Sequence, residues 1–410
     1  MTRMWIAAAG CVFAIVLPLA ALSASDKVAI SKRARDLHFR CIVIDTHDDT
    51  TQRLLDPAFD FGARHTDGNV DIPRMREGGV GAIFFAIYVP GTITGPEAVQ
   101  QALDQIDAVR ETAFRHKKDL VLARTAGDIR RAHREGKIAA LIAIEGGHAI
   151  AGDVRVLRTY AALGASYMTL THMVNTDWAD SSTDKPAHNG LTDFGKQVVR
   201  EMNGAGMMVD VSHVSDKTFY DALAASQAPL IASHSSCRAL CDTPRNMTDD
   251  MIRALAAKGG VIQINYHVGF LSPEFRAAEQ ADPEIWKGIS SNVEKRCEGK
   301  QGRKLVELND AVRERMSAGS LPRVDWSLIV DHVDHAVKVG GIDHVGLGSD
   351  FDGAVMPFGM DDASHLPKIT DALLERDYSE RNVQKILGGN TLRVMAAAEA
   401  TAKKLQGETL

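Results

Sequence analysis

Eight short runs of aliphatic and β-branched residues recur along the 410-residue chain, separated by stretches with helical periodicity. In order they are Cys41–Thr46, Val80–Val89, Ala139–Ile144, Ser166–Thr171, Met207–Ser212, Pro229–Ser233, Gly260–Tyr266 and His344–Ser349. Most are continuously apolar, as parallel strands buried on both faces must be. Between them, Ala98–His116 places Val99, Ala102, Ile106 and Val109 on one helical face. Phe194–Met202 follows Thr192 and Asp193, both suited to capping a helix. A strand-then-helix unit repeated eight times predicts an α/β fold, the (β/α)8 TIM barrel.

Polar residues able to bind metal or carry protons stand where these runs stop. The first ends in His47-Asp48-Asp49, the third in Glu145, the fourth in His172, the fifth in His213, the sixth in His234 and the eighth in Asp350. A lone histidine at a strand end is more often structural, bonded to a neighbouring backbone group. Six such residues at the same end of successive strands are another matter, because barrel active sites are assembled at that end from residues distant in sequence.

The spacing carries a metal argument. His47 and Asp49 are two residues apart on an extended segment, so both side chains reach the same side. Asp48 between them points away, as a loop residue or an acceptor behind the site. His213 and His234 close consecutive strands and can share a second ion. Glu145 lies between the two groups around the mouth, and its two oxygens can bridge both ions. Imidazole nitrogen with carboxylate oxygen suits zinc, whereas an all-oxygen set would suit magnesium or calcium. Two ions so held make a nucleophile of a water molecule between them, aimed at a polarised carbonyl or phosphoryl group.

Composition restricts the partners. With 45% hydrophobic and 24% charged residues the chain is ordinary for a globular protein, and a formal charge of −6 offers no basic footprint for nucleic acid. Residues 1–24 differ from the rest: Arg3 precedes an apolar run from Met4 to Leu22 that ends in Ser23-Ala24-Ser25. This reads as a signal peptide, implying an exported, periplasmic or extracellular protein. A run of this kind is also long enough to remain as a membrane anchor. Cys11 after Ala8-Ala9-Gly10 is only a loose lipoprotein signal, since most of the apolar run follows it. Membrane association is expected only if the segment stays uncleaved or lipidated. Beyond it are Cys41, Cys237, Cys241 and Cys297, whose spacing is not that of a zinc finger.

The ordered set of motifs resembles the membrane (renal-type) dipeptidases, peptidase family M19 of the amidohydrolase superfamily. The similar segments are Ile44-Asp45-Thr46-His47-Asp48-Asp49, Ile144-Glu145-Gly146-Gly147-His148, Leu170-Thr171-His172 with Asn175 and Trp178-Ala179-Asp180, and Asn189-Gly190-Leu191-Thr192. They continue with Val209-Asp210-Val211-Ser212-His213, Ser233-His234-Ser235-Ser236, Arg245-Asn246 with Asp249-Asp250, and Gly346-Leu347-Gly348-Ser349-Asp350-Phe351-Asp352-Gly353. The resemblance runs roughly over residues 36–395. It implies two zinc ions, one on His47, Asp49 and Glu145 and the other on Glu145, His213 and His234. It also implies that His172 contacts the scissile carbonyl oxygen, Arg245 binds the substrate's terminal carboxylate, and Asp350 carries the proton. A dipeptidase acting through a metal-bridging hydroxide follows, on substrates that include dipeptides with a C-terminal D-residue.

Some positions depart from the family or resist assignment. Asp48 replaces an asparagine common in relatives, adding a negative charge beside the metals. After strand seven the family places an aromatic substrate contact; here either Tyr266 or His267 can fill it, with Tyr266 the first choice. His148 is expected to be structural, and Asp352 to shape a turn with Gly353. The Asn246-Met247-Thr248 sequon is discounted. Residues 25–410 are expected to form one barrel domain, interrupted by a charged helical insertion near 272–322. That insertion is expected to cover the mouth or to make an oligomer contact in a homodimer, and its Cys297 is a candidate partner for Cys241. Rival readings are another amidohydrolase-type metal hydrolase, disfavoured by His-x-Asp where those enzymes carry His-x-His, and a non-catalytic periplasmic binder, disfavoured by a complete ligand set.

Overall fold

The computed structural model describes residues 29–297 and 302–407. The expected signal segment lies outside them. Nine strands run in the order β1 (Val43–Asp48), β2 (Val80–Tyr88), β3 (Leu120–Leu122), β4 (Ile138–Glu145), β5 (Ala165–Thr169), β6 (Met208–Asp210), β7 (Ile231–Ser235), β8 (Val261–Ile264) and β9 (Val345–Leu347). Eight of them form a continuous parallel path, β1-β2-β4-β5-β6-β7-β8-β9, and β3 adds only to β4. The path is nearly closed into a (β/α)8 barrel. Its ends meet just past β1 and β9: Asp49 N donates to Phe351 O at 2.8 Å and Asp350 N to His47 O at 3.1 Å.

Every expected run overlaps one of the eight barrel strands, with ends displaced by a few residues. The ninth, β3, was not expected, because three residues are too few to show a period. It pairs with Ile138–Ala140 of β4, whereas β5 pairs with β4 from Ile142 onward. The short strand therefore satisfies backbone groups that β5 does not reach.

Alternation along β4 shows how the barrel is filled. Ile138, Ala140, Ile142 and Ile144 pack outward in the core shared with the surrounding helices. Ala139, Leu141 and Ala143 point inward with Phe84, Tyr167 and Ile231, and Glu145 continues their face. Leu392, Val394, Met395 and Ala398 of the helix Asn390–Gly407 join the inner cluster at the N-terminal ends of the strands. One end of the barrel is thus plugged and the other left for chemistry.

The helices begin where expected. Gly95–Arg115 covers the first predicted helix, and Asp193–Ala205 covers the second, with the Thr192 side chain accepting from Gly195 N as its cap. Between β8 and β9 the chain forms the helices Pro273–Ala281, Pro283–Arg296 and Lys304–Ser317. They share a small core that includes Phe275, Ile289, Val293, Val312 and Met316.

Two expectations for the loops are settled here. The proposed Cys241–Cys297 bridge is not formed; both thiols are free, as are Cys41 and Cys237. Cys241 is buried with Sγ 3.6 Å from Gly269 O, while Cys297 is half-buried at the edge of the insertion core. Asn246 is buried and its amide donates to Cys241 O and Phe270 O, both at 2.9 Å, so the sequon offers no site for a glycan.

Truncating a fully buried inner side chain should cost far more than truncating an exposed aromatic. Leu141→Ala is expected to destabilise the chain by about 2–5 kcal/mol. Phe114→Ala, at a residue 68% exposed, should stay within about 0.5 kcal/mol. Urea denaturation of both variants measures the contrast.

Candidate metal centre

The five expected ligands converge on one carboxylate. Glu145 Oε1 lies 3.4 Å from His47 Nε2, 3.2 Å from His213 Nε2 and 3.4 Å from His234 Nε2, with His172 Nε2 at 3.7 Å. Asp49 Oδ2 is 3.6 Å from His47 Nε2. The ring nitrogens of His213 and His234 face each other at 2.9 Å. A tetrahedral ion with bonds of about 2.0–2.2 Å holds its ligand atoms about 3.3 Å apart, which is the scale of these separations. His47 Nε2 is buried with no hydrogen-bond partner, although it sits at the centre of the cluster. A buried nitrogen in that position, among mixed nitrogen and oxygen donors, fits a zinc-type cation.

Three overlapping donor groups lie within 4.8 Å: His47, Glu145 and His234; Glu145, His172 and His213; and His47, Asp49 and Asp350. This grouping differs in detail from the expected one. His234 stacks on His47, with ring centroids 3.7 Å apart, and His213 also neighbours His172 at 4.4 Å.

Strict alternation would have sent two of the ligands the wrong way. Val43 packs outward and Ile44 inward, so a regular β1 would turn His47 outward; in β7 the outward Ala232 and inward Ile231 pose the same problem for His234. Each strand has a register shift at that point, between Asp45 and Asp48 and between Ala232 and Ser235. Such irregularities re-aim side chains near active sites, and here they bring both imidazoles inward.

A further layer fixes the rings. Tyr167 OH donates to Thr46 O at 2.8 Å, which leaves its oxygen to accept from His47 Nδ1 at 2.7 Å. Ser233 Oγ donates to Asp210 Oδ2 at 2.6 Å and faces His234 Nδ1 at 2.7 Å. When neutral, both imidazoles carry hydrogen on Nδ1 and turn the Nε2 lone pair to the cluster. Asp210 also accepts from Ser212 N at 3.1 Å, the residue before His213, and from Ser233 N at 2.8 Å, the residue before His234. Asp45 repeats the device: it accepts from His47 N at 3.3 Å and from Ser349 N at 2.8 Å, next to Asp350. Sequence reasoning singled out none of Tyr167, Ser233, Asp45 or Asp210 for a role. The available signal was a carboxylate inside an otherwise apolar strand, two or three residues before a ligand.

The electrostatics are those of a cation site. Burial alone would raise the Glu145 carboxyl, but His47, His172, His213 and His234 hold it well below the usual carboxylate range. Burial disfavours a charged His47, yet Glu145, Asp49 and Asp350 push it up to about 10. Burial, with His47 and Arg245 nearby, brings His234 down to about 4. Asp350 is half-buried, and desolvation would raise its carboxyl, but His234, His47 and a 2.8 Å hydrogen bond from Asn265 Nδ2 keep it below the ordinary value. His213 and Asp350 both adopt left-handed backbone, each with φ of 66°, a strain that clusters at functional sites.

The site opens into a cavity of about 400 Å3. Asp49, Glu145, His172, His213 and Asp350 line it, together with Tyr88, His267 and Phe270. Tyr266 does not line it. Its ring is fully buried edge-on against Phe351, with centroids 5.9 Å apart, and the rings on the wall after β8 are His267 and Phe270. Arg245 is buried beside the cavity, stacked 5.3 Å from the Phe270 ring centroid. Its guanidinium donates to Ser235 Oγ at 3.1 Å and His234 O at 3.0 Å, and no carboxylate among the described residues is within ion-pair distance.

The motif residues around the ligands have mechanical reasons to be there. A Cβ on Gly147 would lie 2.5 Å from Leu170 O and from the Trp178 ring, and one on Gly353 would lie 2.0 Å from Asp49 Oδ2. Asp352 does more than shape a turn: it accepts from Thr50 Oγ1 and Asn69 N, each at 2.6 Å, tying the β9 loop to the loop after β1. Asp48 is buried beside it, and burial together with Asp352 pushes its carboxyl well above the usual range.

Comparison with known proteins agrees with this geometry. A family model, membrane dipeptidase (peptidase family M19), matches residues 31–409. Dipeptidase 3 of Mus musculus is 33% identical over 350 residues, 84% of this chain and 61% of the relative, and Dipeptidase 3 of Rattus norvegicus matches to the same extent. The chain thus spans 61% of the length of these curated relatives. The crystal structure of the probable dipeptidase PvdM from Pseudomonas aeruginosa superposes with a TM-score of 0.74 at 26% identity, covering 90% of this chain and 98% of the other. A metallo peptidase from Rhodobacter sphaeroides, liganded with a phosphinate mimic of the dipeptide L-Ala-D-Ala, gives 0.72 at 26% identity over 87% of this chain and 99% of that one. The chain belongs to the membrane dipeptidase family, peptidase family M19.

Proposed function

We propose that the protein is a zinc-dependent dipeptidase whose substrates include dipeptides with a C-terminal D-residue. The observation that carries this reading is the convergence of His47, His213 and His234 on the buried Glu145, with Asp49 against His47, beside an ionised Asp350 and a cavity of about 400 Å3. The phosphinate of an L-Ala-D-Ala mimic bound to the Rhodobacter sphaeroides relative supports the substrate class. Two zinc ions would be held by His47, Asp49, Glu145, His213 and His234. Bound there, zinc supplies Lewis-acid polarisation and lowers the pKa of water toward neutrality.

The chain's own groups supply the rest. Arg245, a buried cation with no carboxylate within ion-pair distance among the described residues, takes the substrate's terminal carboxylate through a planar fork suited to it. His172 is kept neutral by burial and can donate one N–H to the carbonyl oxygen as negative charge grows there. Asp350, held ionised, accepts the proton of the attacking water and delivers it to the departing amine. The cavity wall contributed by His267 replaces Tyr266 as the substrate contact. The apolar segment Met4–Leu22 makes export the expected fate, and no helix among the described residues is long and apolar enough to cross a membrane. A homodimer remains the proposed assembly.

Glu145→Gln should lose metal and activity together, with a drop in zinc affinity beyond the roughly 10–100-fold usual for outer-shell partners. Metal analysis of the purified variant checks it. Asp350→Asn should retain zinc but lose about 10²–10⁴-fold in kcat; full turnover would sink the proton-carrier role. Zinc binding must also expel the proton that His47 holds up to about pH 10 in the metal-free chain. Calorimetric titration near neutral pH, in buffers of different ionisation enthalpy, should therefore register proton release, and zinc affinity should rise with pH. Binding without proton release would contradict this picture of the ligand set.

A further inference from the structure

The apolar part of the cavity wall comes largely from chain outside the barrel strands. Leu305, Leu308, Asn309 and Val312 follow one another at i, i+3, i+4 and i+7 on the helix Lys304–Ser317, so one face of that helix looks into the cavity. Trp286 joins them from the helix Pro283–Arg296. Its ring is braced edge-on against Phe275, with centroids 6.3 Å apart, and its buried Nε1–H has no acceptor among the described residues.

These side chains are not all needed to hold the insertion together. Its core rests on Phe275, Ile289, Val293, Val312 and Met316; Trp286 and Leu308 pack at the edge of that core and Leu305 lies outside it. All three are only half-buried. Carboxylates on the wall are confined to Asp49, Glu145 and Asp350 at the site and to Glu279, which Arg276 pairs. No Lys or Arg among the described residues lines the cavity. An apolar surface held open toward water beside the reacting groups gains free energy only when apolar surface covers it.

We infer that Trp286, Leu305, Leu308 and Val312 form a side-chain subsite, and that the preferred substrates are dipeptides carrying one bulky aliphatic or aromatic residue. The inference rests on the dipeptidase reading and narrows it. Small dipeptides bind without covering this wall. Charged side chains meet no Lys or Arg partner on it and lose hydration against it.

The test uses the zinc-loaded full chain and two substrate series, Xaa-Ala and Ala-Xaa, with Gly, Ala, Leu, Phe, Lys or Asp as the variable residue. Burial of each methylene is worth about fourfold. In one series kcat/KM is expected to rise at least about tenfold from Gly to Leu or Phe, with Lys and Asp falling below Ala. Leu308→Ala and the milder Leu305→Ser should each reduce the Phe-to-Gly ratio, whereas Phe114→Ala on the outer surface should not change it. Turnover that is flat across both series, or a ratio that neither variant moves, overturns the subsite alone. Absence of turnover on every dipeptide overturns the dipeptidase reading, and the subsite with it.

Discussion

A carboxylate buried among four imidazoles sets the terms for the rest of the molecule. Glu145 is 3% exposed at the C-terminal end of β4, with the ring nitrogens of four histidines within 3.7 Å of its Oε1. A charge so placed persists only with a partner, because taking an ion out of water costs several kcal/mol even after relaxation. His47 gives that partner, since Glu145, Asp49 and Asp350 favour its protonated form. The barrel interior below, closed by apolar side chains and the C-terminal helix, keeps water from doing so.

Around that centre the structure makes two of the ligand rings, His47 and His234, each answer to two constraints. One is the strand end that brings it to the mouth. The other is a hydroxyl behind it, from Tyr167 or Ser233, that removes the choice of tautomer. Asp45 and Asp210 extend the same logic to the backbone, each gripping two chain segments that carry site residues. Ligand geometry is then decided before any ion arrives, and little reorganisation is left for binding or reaction.

Much of this was legible in the sequence, for physical reasons that also explain what was not. Parallel strands buried on both faces cannot hide, so the eight barrel strands stood out as apolar runs. His47, Glu145, His213 and His234 stood out because polar residues at their ends have few other uses. The three-residue β3 carried no period at all. The register shifts in β1 and β7 depend on pairing across strands, which one chain read in isolation does not display; alternation taken literally would have turned His47 and His234 outward. Tyr167 looked like one more aromatic in a core strand. The choice between Tyr266 and His267 turned on which of two adjacent residues faced a cavity whose far wall comes from an insertion, and no local pattern encodes that.

The way the barrel closes has a consequence of its own. No ladder joins β1 to β9 directly; the seam is stitched by Asp49 N to Phe351 O and by Asp350 N to His47 O. Three of the four residues in these bonds, His47, Asp49 and Asp350, are also donors of the candidate metal site. Catalytic machinery usually sits on loops that can loosen without harm to the scaffold. Here the same backbone segments hold both the candidate site and the seam, so disorder in one loosens the circumference at the other.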